Sequence, residues 1–152
     1  MPSINSLINR LKTDYPQFTF QESSEFLWDH DSNTIYFEDK SNCEGFLLHE
    51  LSHALLLHTD YERDVQLIAM ESKAWDTAQK LADKYHVELS DDFIQSNLDT
   101  YRDWLHKRST CPECQSTGLQ TKSNTFRCLA CNNQWTVNDA KTCALKRYKI
   151  KK

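Results

Sequence analysis

Glycine and proline are scarce in this 152-residue chain, with 2 Gly and 3 Pro, which excludes collagen-like and low-complexity readings. Long apolar runs are missing too. Stretches such as Ala54 to Leu57 fall far below the roughly 18 to 20 residues that span a bilayer, and Met1 to Leu11 has no signal-peptide apolar core. No membrane partner is expected, and the expected compartment is cytoplasmic. There is no internal repeat and no Gly/Ser linker. What remains is 39% hydrophobic and 26% charged, with a mean hydropathy of -0.71, the profile of an ordinary globular protein rather than a disordered one. In a reducing compartment its 6 cysteines read as thiolate ligands before disulfides.

The net charge of -4 hides an asymmetry. Residues 1 to 106 carry 8 Lys+Arg against 20 Asp+Glu, a net of -12, whereas residues 107 to 152 carry 10 against 2, a net of +8. The first part is long enough to bury its own core. A segment of about 45 residues ordinarily needs a metal, disulfides or a partner. The expected organisation is an acidic domain over 1–106, a cysteine-bearing segment over 107–140 and a basic tail over 141–152.

Apolar spacing predicts a short amphipathic helix over Ser3 to Lys12, with Ile4, Leu7, Ile8 and Leu11 inward behind a Ser3 cap and Pro16 beyond its end. Phe18 to Phe20, Phe26 to Trp28 and Thr34 to Phe37 read as strands of a small antiparallel sheet, with a turn-forming cluster at Asp29 to Asn33. Cys43 to His58 and Glu62 to Tyr85 read as helices. A further helix, capped by Asp91 or Asp92, ends near His106. The fold class is therefore α+β.

The first chemical motif is His49-Glu50-Leu51-Ser52-His53, the pattern H-E-x-x-H. At about 100° per residue His49 and His53 differ by roughly 40°, so both imidazoles leave one helix face and reach one metal ion, with Glu50 offset to address a water. The helix is apolar nearly all round, as a buried helix must be. A catalytic zinc takes three protein ligands. His58 is a poor third ligand, because on a continuous helix it lies roughly 140° from His53; a helix-end or substrate-facing role suits it better. Glu71 is the better candidate, on the next helix, with Ala74, Ala78 and Ala82 sharing its side. Glu62, Asp64 and Asp76 are weaker competitors, and Asp64 or Asp76 could instead orient a ligating histidine.

His49-Glu50-x-x-His53 followed by Glu71-x-x-Ala74-x-x-x-Ala78 resembles the ImmA/IrrE-type metallopeptidases, over about residues 1 to 85. The resemblance implies a zincin-like domain with a short mixed sheet before the metal helix. It also implies His49, His53 and Glu71 as zinc ligands, Glu50 as general base, and bacterial or phage repressors and regulators as substrates. The cysteine-bearing tail resembles instead that of SprT-like proteases, which pair an H-E-x-x-H domain with a zinc ribbon and act near DNA. Those enzymes use a third histidine, and no His lies between His58 and His86.

Zinc at such a site polarises the scissile carbonyl and acidifies a water, while Glu50 carries the water's proton to the leaving amine. His58, Tyr61, His86 and Tyr101 are the available donors for the developing oxyanion. Thr34 to Phe37 is a candidate edge strand for an extended substrate, with pairing inside its own sheet as the alternative. Cys43, six residues before His49, reads as a small buried residue before it reads as an inhibitory thiolate.

The second motif is Cys111-Pro-Glu-Cys114 and Cys128-Leu-Ala-Cys131, two C-x-x-C elements 13 residues apart. Four thiolates so spaced suit a structural zinc, making two zinc ions per chain with Cys143 spare. Asn132-Asn133 offers a left-handed turn after the second pair. Leu119 to Gln120 and Thr125 to Arg127 form hairpin arms, and Phe126, Leu129, Trp135 and Val137 form a core too small to fold without metal. Lys107, Arg108, Lys122, Arg127, Lys141, Lys146, Arg147, Lys149, Lys151 and Lys152, interleaved with Phe126, Trp135 and Tyr148, have the composition of a DNA or RNA contact surface. A positive arm that docks on protein is the other reading. Two functions follow as expectations: a zinc metalloendopeptidase acting on a protein substrate, and a nucleic-acid-binding zinc-ribbon regulator with an inactive peptidase-like domain.

Overall fold

The computed structural model of the chain describes residues 4–139 and 145–150. Its elements run α1 (Ile4–Asp14), β1 (Thr19–Glu22), β2 (Leu27–Asp29), β3 (Thr34–Phe37), α2 (Glu44–Leu55), α3 (Asp64–Tyr85), α4 (Asp91–Ser109), β4 (Gly118–Lys122), β5 (Thr125–Cys128), β6 (Gln134–Val137) and β7 (Arg147–Lys149). The fold is mixed α+β, with two small sheets. Contacts divide the chain into two units, Met1–Thr59 with Met70–Ile94, and Asp60–Ala69 with Gln95–Lys152. A cut after His106 follows charge, whereas this division follows packing and assigns α4 from Gln95 onward to the cysteine-bearing segment. Ser3, Lys141, Cys143, Lys151 and Lys152 lie outside the described residues.

In the first unit α1 buries Ile4, Leu7, Ile8 and Leu11, the apolar stripe its sequence spells. The sheet has the order β1-β3-β2, with β2 antiparallel and β1 parallel to β3. It is mixed, not antiparallel throughout: Asp29, accepting from Asp31 N and Ser32 Oγ, and the left-handed Asn33 close a hairpin between β2 and β3. The longer path from β1 to β3, with β2 in between, lets those two run the same way. β3 is consequently the central strand, with Thr34, Ile35 and Phe37 buried, and the expectation that it forms the edge is corrected. The edges are β1 and β2.

α2 buries Gly45, Leu47, Leu48, Leu51, Ser52 and Ala54 along with its two histidines. It stops at Leu55, short of the predicted His58, because Leu57 turns left-handed (φ 56). Leu57 N donates to Ala54 O (3.2 Å) and His58 N donates to His53 O (3.0 Å), the paired bonds of a Schellman ending. α4 is capped by Ser90, whose Oγ accepts from Phe93 N (3.1 Å), in place of Asp91 or Asp92.

The second unit carries an antiparallel sheet of order β4-β5-β6-β7. Cys111, Phe126, Cys128, Trp135 and Val137 form its core, with Leu145 packed against it, and Phe126 and Trp135 stack. Leu129 is exposed and outside that core. Arg108, at the end of α4, is 1% exposed and grips Asp64 at the start of α3 through Nε (2.8 Å) and Nη2 (3.1 Å). It also donates to Asn124 Oδ1 and to the Asn138 and Asp139 carbonyls, and stands over the Trp104 ring. Gln120 Oε1 caps Asp64 N at 2.8 Å.

The scarcity of glycine is legible in this backbone. Gly118 has no room for a side chain, since a Cβ there would come within 2.5 Å of the Trp135 ring. The left-handed positions among the described residues fall to Asn33, Asn42, Asn124, Asn132, Gln115, His86 and Leu57. Asparagine tolerates that conformation, whereas an aliphatic residue is strained in it.

Candidate functional site

Three ligand-type side chains converge in the first unit. Helical spacing on α2 stacks His49 one turn before His53, and α3 presents Glu71 to both. His49 Nε2 lies 2.8 Å from Glu71 Oε2, His53 Nε2 3.1 Å from Glu71 Oε1, and the two Nε2 atoms are 3.1 Å apart. Ligands about 2.1 Å from a tetrahedral ion stand about 3.4 Å apart, so three atoms this close could hold one metal ion with small outward movements. All three residues are buried.

The electrostatics match that use. Burial opposes a charge on His49, but Glu50 and Glu71 outweigh it and raise its pKa to about 9. Burial likewise opposes the Glu71 carboxylate, yet bonds from His49 and His53 hold its pKa down at about 2. An anionic carboxylate among imidazole nitrogens could hold a cation that displaces the His49 proton.

Glu50 stands apart from the three. Its Oε2 accepts a hydrogen bond from the backbone N–H of Trp28 on edge strand β2 (3.0 Å), and its Oε1 lies 3.5 Å from His49 Nδ1. It is the more open group, with 17% of its side chain exposed against 7% for Glu71. His58 is not a fourth ligand. Its Nδ1 lies 2.9 Å from His53 Nδ1, and burial together with the neighbouring His53 lowers its pKa. Among the other donors named from the sequence, His86 is exposed at the end of α3, while Tyr61 and Tyr101 belong to the second unit. Asp64 pairs with Arg108 in that unit, and Glu62 and Asp76 are exposed, so no orienting role falls to them. Cys43 is half-buried at the start of α2 and lies outside the cluster.

Two tryptophans were not foreseen in the site. The Trp75 indole stacks on His49, ring centroids 4.1 Å apart and planes 10° apart. Its position one turn after Glu71 was the available sequence signal. Trp28 contributes its backbone, which no residue pattern announces.

In the second unit Cys111, Cys114, Cys128 and Cys131 form a second group that could hold a metal ion. Cys111 and Cys131 sulfurs are 3.7 Å apart, and Cys114 and Cys128 sulfurs 3.5 Å. A tetrahedron with bonds of about 2.3 Å has edges of about 3.8 Å. The two halves repeat one turn: Gln115 N bonds Cys111 O (2.9 Å) and Asn132 N bonds Cys128 O (3.0 Å), both donors left-handed. Cys111 N then bonds Ser116 O and Cys128 N bonds Asn133 O, each at 2.8 Å. Ser116 hydrogen bonds lower the Cys114 pKa to about 6. The Asn133 amide favours the Cys131 thiolate, but desolvation and the neighbouring sulfurs outweigh it and push that thiol up to about 12. Four sulfurs this close cannot all ionise until a cation joins them.

The basic surface is smaller than the sequence implies. Arg108, Phe126 and Trp135 are buried and unavailable to any ligand. Lys107, Lys122, Arg127, Lys146, Arg147 and Lys149 are exposed, as is Tyr148. Register places Arg127 beside Leu119 and Gln134, and Tyr148 beside Thr136; this face is opposite the one bearing Phe126 and Trp135. No helix among the described residues is long and apolar enough to cross a membrane. Comparison with protein-family models, with curated proteins and with solved structures finds no match to this chain.

Proposed function

We propose that the chain is a zinc metalloendopeptidase with a zincin-like catalytic domain of ImmA/IrrE type and a C-terminal zinc ribbon. One observation carries the reading: two histidines of an H-E-x-x-H helix and a glutamate from the next helix bring their ligand atoms within about 3 Å of one another, with the intervening glutamate alongside. Two imidazoles and one carboxylate are a catalytic donor set, which leaves a coordination position for water or substrate.

A bound zinc ion supplies Lewis acidity, polarising the scissile carbonyl and lowering the pKa of the attacking water. Glu50 accepts that water's proton and returns it to the leaving amine. The Trp28 N–H holds one carboxylate oxygen and leaves the other to take the proton. Glu71 would contribute negative charge to the ion, and without the ion its contacts to both histidine Nε2 atoms hold the three donors together. The ribbon zinc is structural, and the exposed cations with Tyr148 suit a nucleic-acid contact, the partner we favour for the second unit.

The test is cleavage of a proteome-derived peptide library read by mass spectrometry, with the native chain and Glu50→Gln side by side. New termini that vanish in Glu50→Gln, with both metals retained, support the reading. Equal cleavage by both removes Glu50 from its role. The competing reading, a nucleic-acid-binding regulator with an inactive peptidase-like domain, rests on the exposed cations of the ribbon. It is favoured if salt-dependent DNA or RNA binding survives Glu50→Gln and the native chain cleaves nothing.

A further inference from the structure

We infer that His58 is a positioning residue for the metal centre: it accepts a hydrogen bond from Nδ1–H of His53 and so holds that ring with Nε2 turned to the ion. The inference rests on the metal-centre reading above.

With a metal ion held by the cluster, one arrangement of the protons is consistent with the observed contacts. His53 Nε2 faces the cluster, 3.1 Å from both Glu71 Oε1 and His49 Nε2. A nitrogen that gives its lone pair to a metal carries no proton, so the His53 proton sits on Nδ1. The partner of that nitrogen is His58 Nδ1 at 2.9 Å. Two ring nitrogens bond only when one bears the proton, so His58 Nδ1 is the acceptor and its own proton is on Nε2. Histidine ligands ordinarily donate their second N–H to a carboxylate, a carbonyl or water. Here an imidazole fills that place, and it adds no negative charge to a site that holds one carboxylate.

The chain termination of α2 creates this contact. In a Schellman ending the second residue past the helix cap folds back over the residue three positions inside the end, and an apolar pair commonly meets there. In this helix those two residues are His58 and His53, so the apolar contact is replaced by a hydrogen bond. The turn is made at a cost, because Leu57, 76% exposed, holds the left-handed conformation that glycine ordinarily takes. On a continuous helix His58 would point roughly 140° away from His53. The strained turn at Leu57 is thus what makes His58 reach the ligand.

The test uses the full chain with its ribbon zinc in place, titrated with Co2+, reading the spectral component that His49→Ala lacks. His58→Phe keeps a ring but has no acceptor and is expected to weaken Co2+ binding roughly 10- to 100-fold. His58→Gln restores an acceptor and is expected to recover most of it. Native Co2+ affinity in His58→Phe overturns the inference and leaves the metal centre intact, whereas no Co2+ component in the unsubstituted chain overturns both. If His58→Phe does not fold, nitrogen NMR of the zinc-loaded native chain decides. A scalar coupling between the His53 and His58 Nδ1 nuclei is expected, and its absence beside a resolved His53 Nδ1–H overturns the inference.

Discussion

The indole of Trp75 lies against the imidazole of His49, 4.1 Å between centroids with the rings 10° from parallel. Trp75 is 1% exposed, follows Glu71 by one helical turn, and buries its indole N–H without a hydrogen-bond partner. One face of α3 therefore supplies both Glu71 and the wall against which His49 rests. Trp75→Ala should cost about 3 to 5 kcal/mol of stability through the cavity left behind. Co2+ bound at the adjacent histidine should quench a fluorescence component that Trp75→Phe lacks. Quenching that persists unchanged in Trp75→Phe would place the metal elsewhere.

The His49 and Glu71 pair sets a pH window for the chain stripped of metal by a chelator. His49 is raised from 6.5 to about 9, so its contribution is full below about 6.5 and lost as pH rises through 9. Glu71 is depressed from 4.5 to about 2, so its contribution is full above about 4.5 and lost as pH falls through 2. These are two views of one interaction and are not added. Denaturant midpoints should form a plateau between about pH 4.5 and 6.5 and decline on the alkaline side, a decline that His49→Gln abolishes. A midpoint that keeps rising from pH 6.5 to 9 would show that the pair does not stabilise the fold.

Leu57→Gly should stabilise the chain by about 1 kcal/mol, because the left-handed conformation costs an aliphatic residue about that much and the side chain is 76% exposed. Chemical denaturation checks this. A loss of stability would mean that Leu57 is held by packing rather than strained in an open turn.

How far the sequence went is visible in these residues. The α1 stripe, the H-E-x-x-H face, Glu71 and the paired C-x-x-C turns follow from local spacing, and the structure brings each set together. The His53–His58 contact was not legible, because helical extrapolation assumes a helix that Leu57 ends early. The parallel pairing of β1 with β3 was hidden for a related reason: pairing direction depends on where the strands meet, not on their residue pattern. Arg108 read as one more surface cation, since nothing local reveals that Asp64, 44 positions away, lies within bonding reach.

That pair gives a further expectation. Arg108→Met leaves Asp64 buried without its partner and should cost about 3 to 5 kcal/mol, whereas Arg108→Met with Asp64→Leu should recover much of the loss. Thermal unfolding of the two variants is the check. Equal destabilisation in both would assign the cost to the other bonds that Arg108 makes to Asn124 and to the Asn138 and Asp139 carbonyls.

Zinc analysis of the full chain is the most direct measurement of the central claim. Expected are two zinc ions per native chain, one after His49→Ala or Glu71→Ala, and one after Cys111→Ser. Two ions should remain in Glu50→Gln, whose cleavage of peptides is lost. A native chain that holds a single zinc, removed by Cys111→Ser and indifferent to His49→Ala, would contradict the catalytic centre outright.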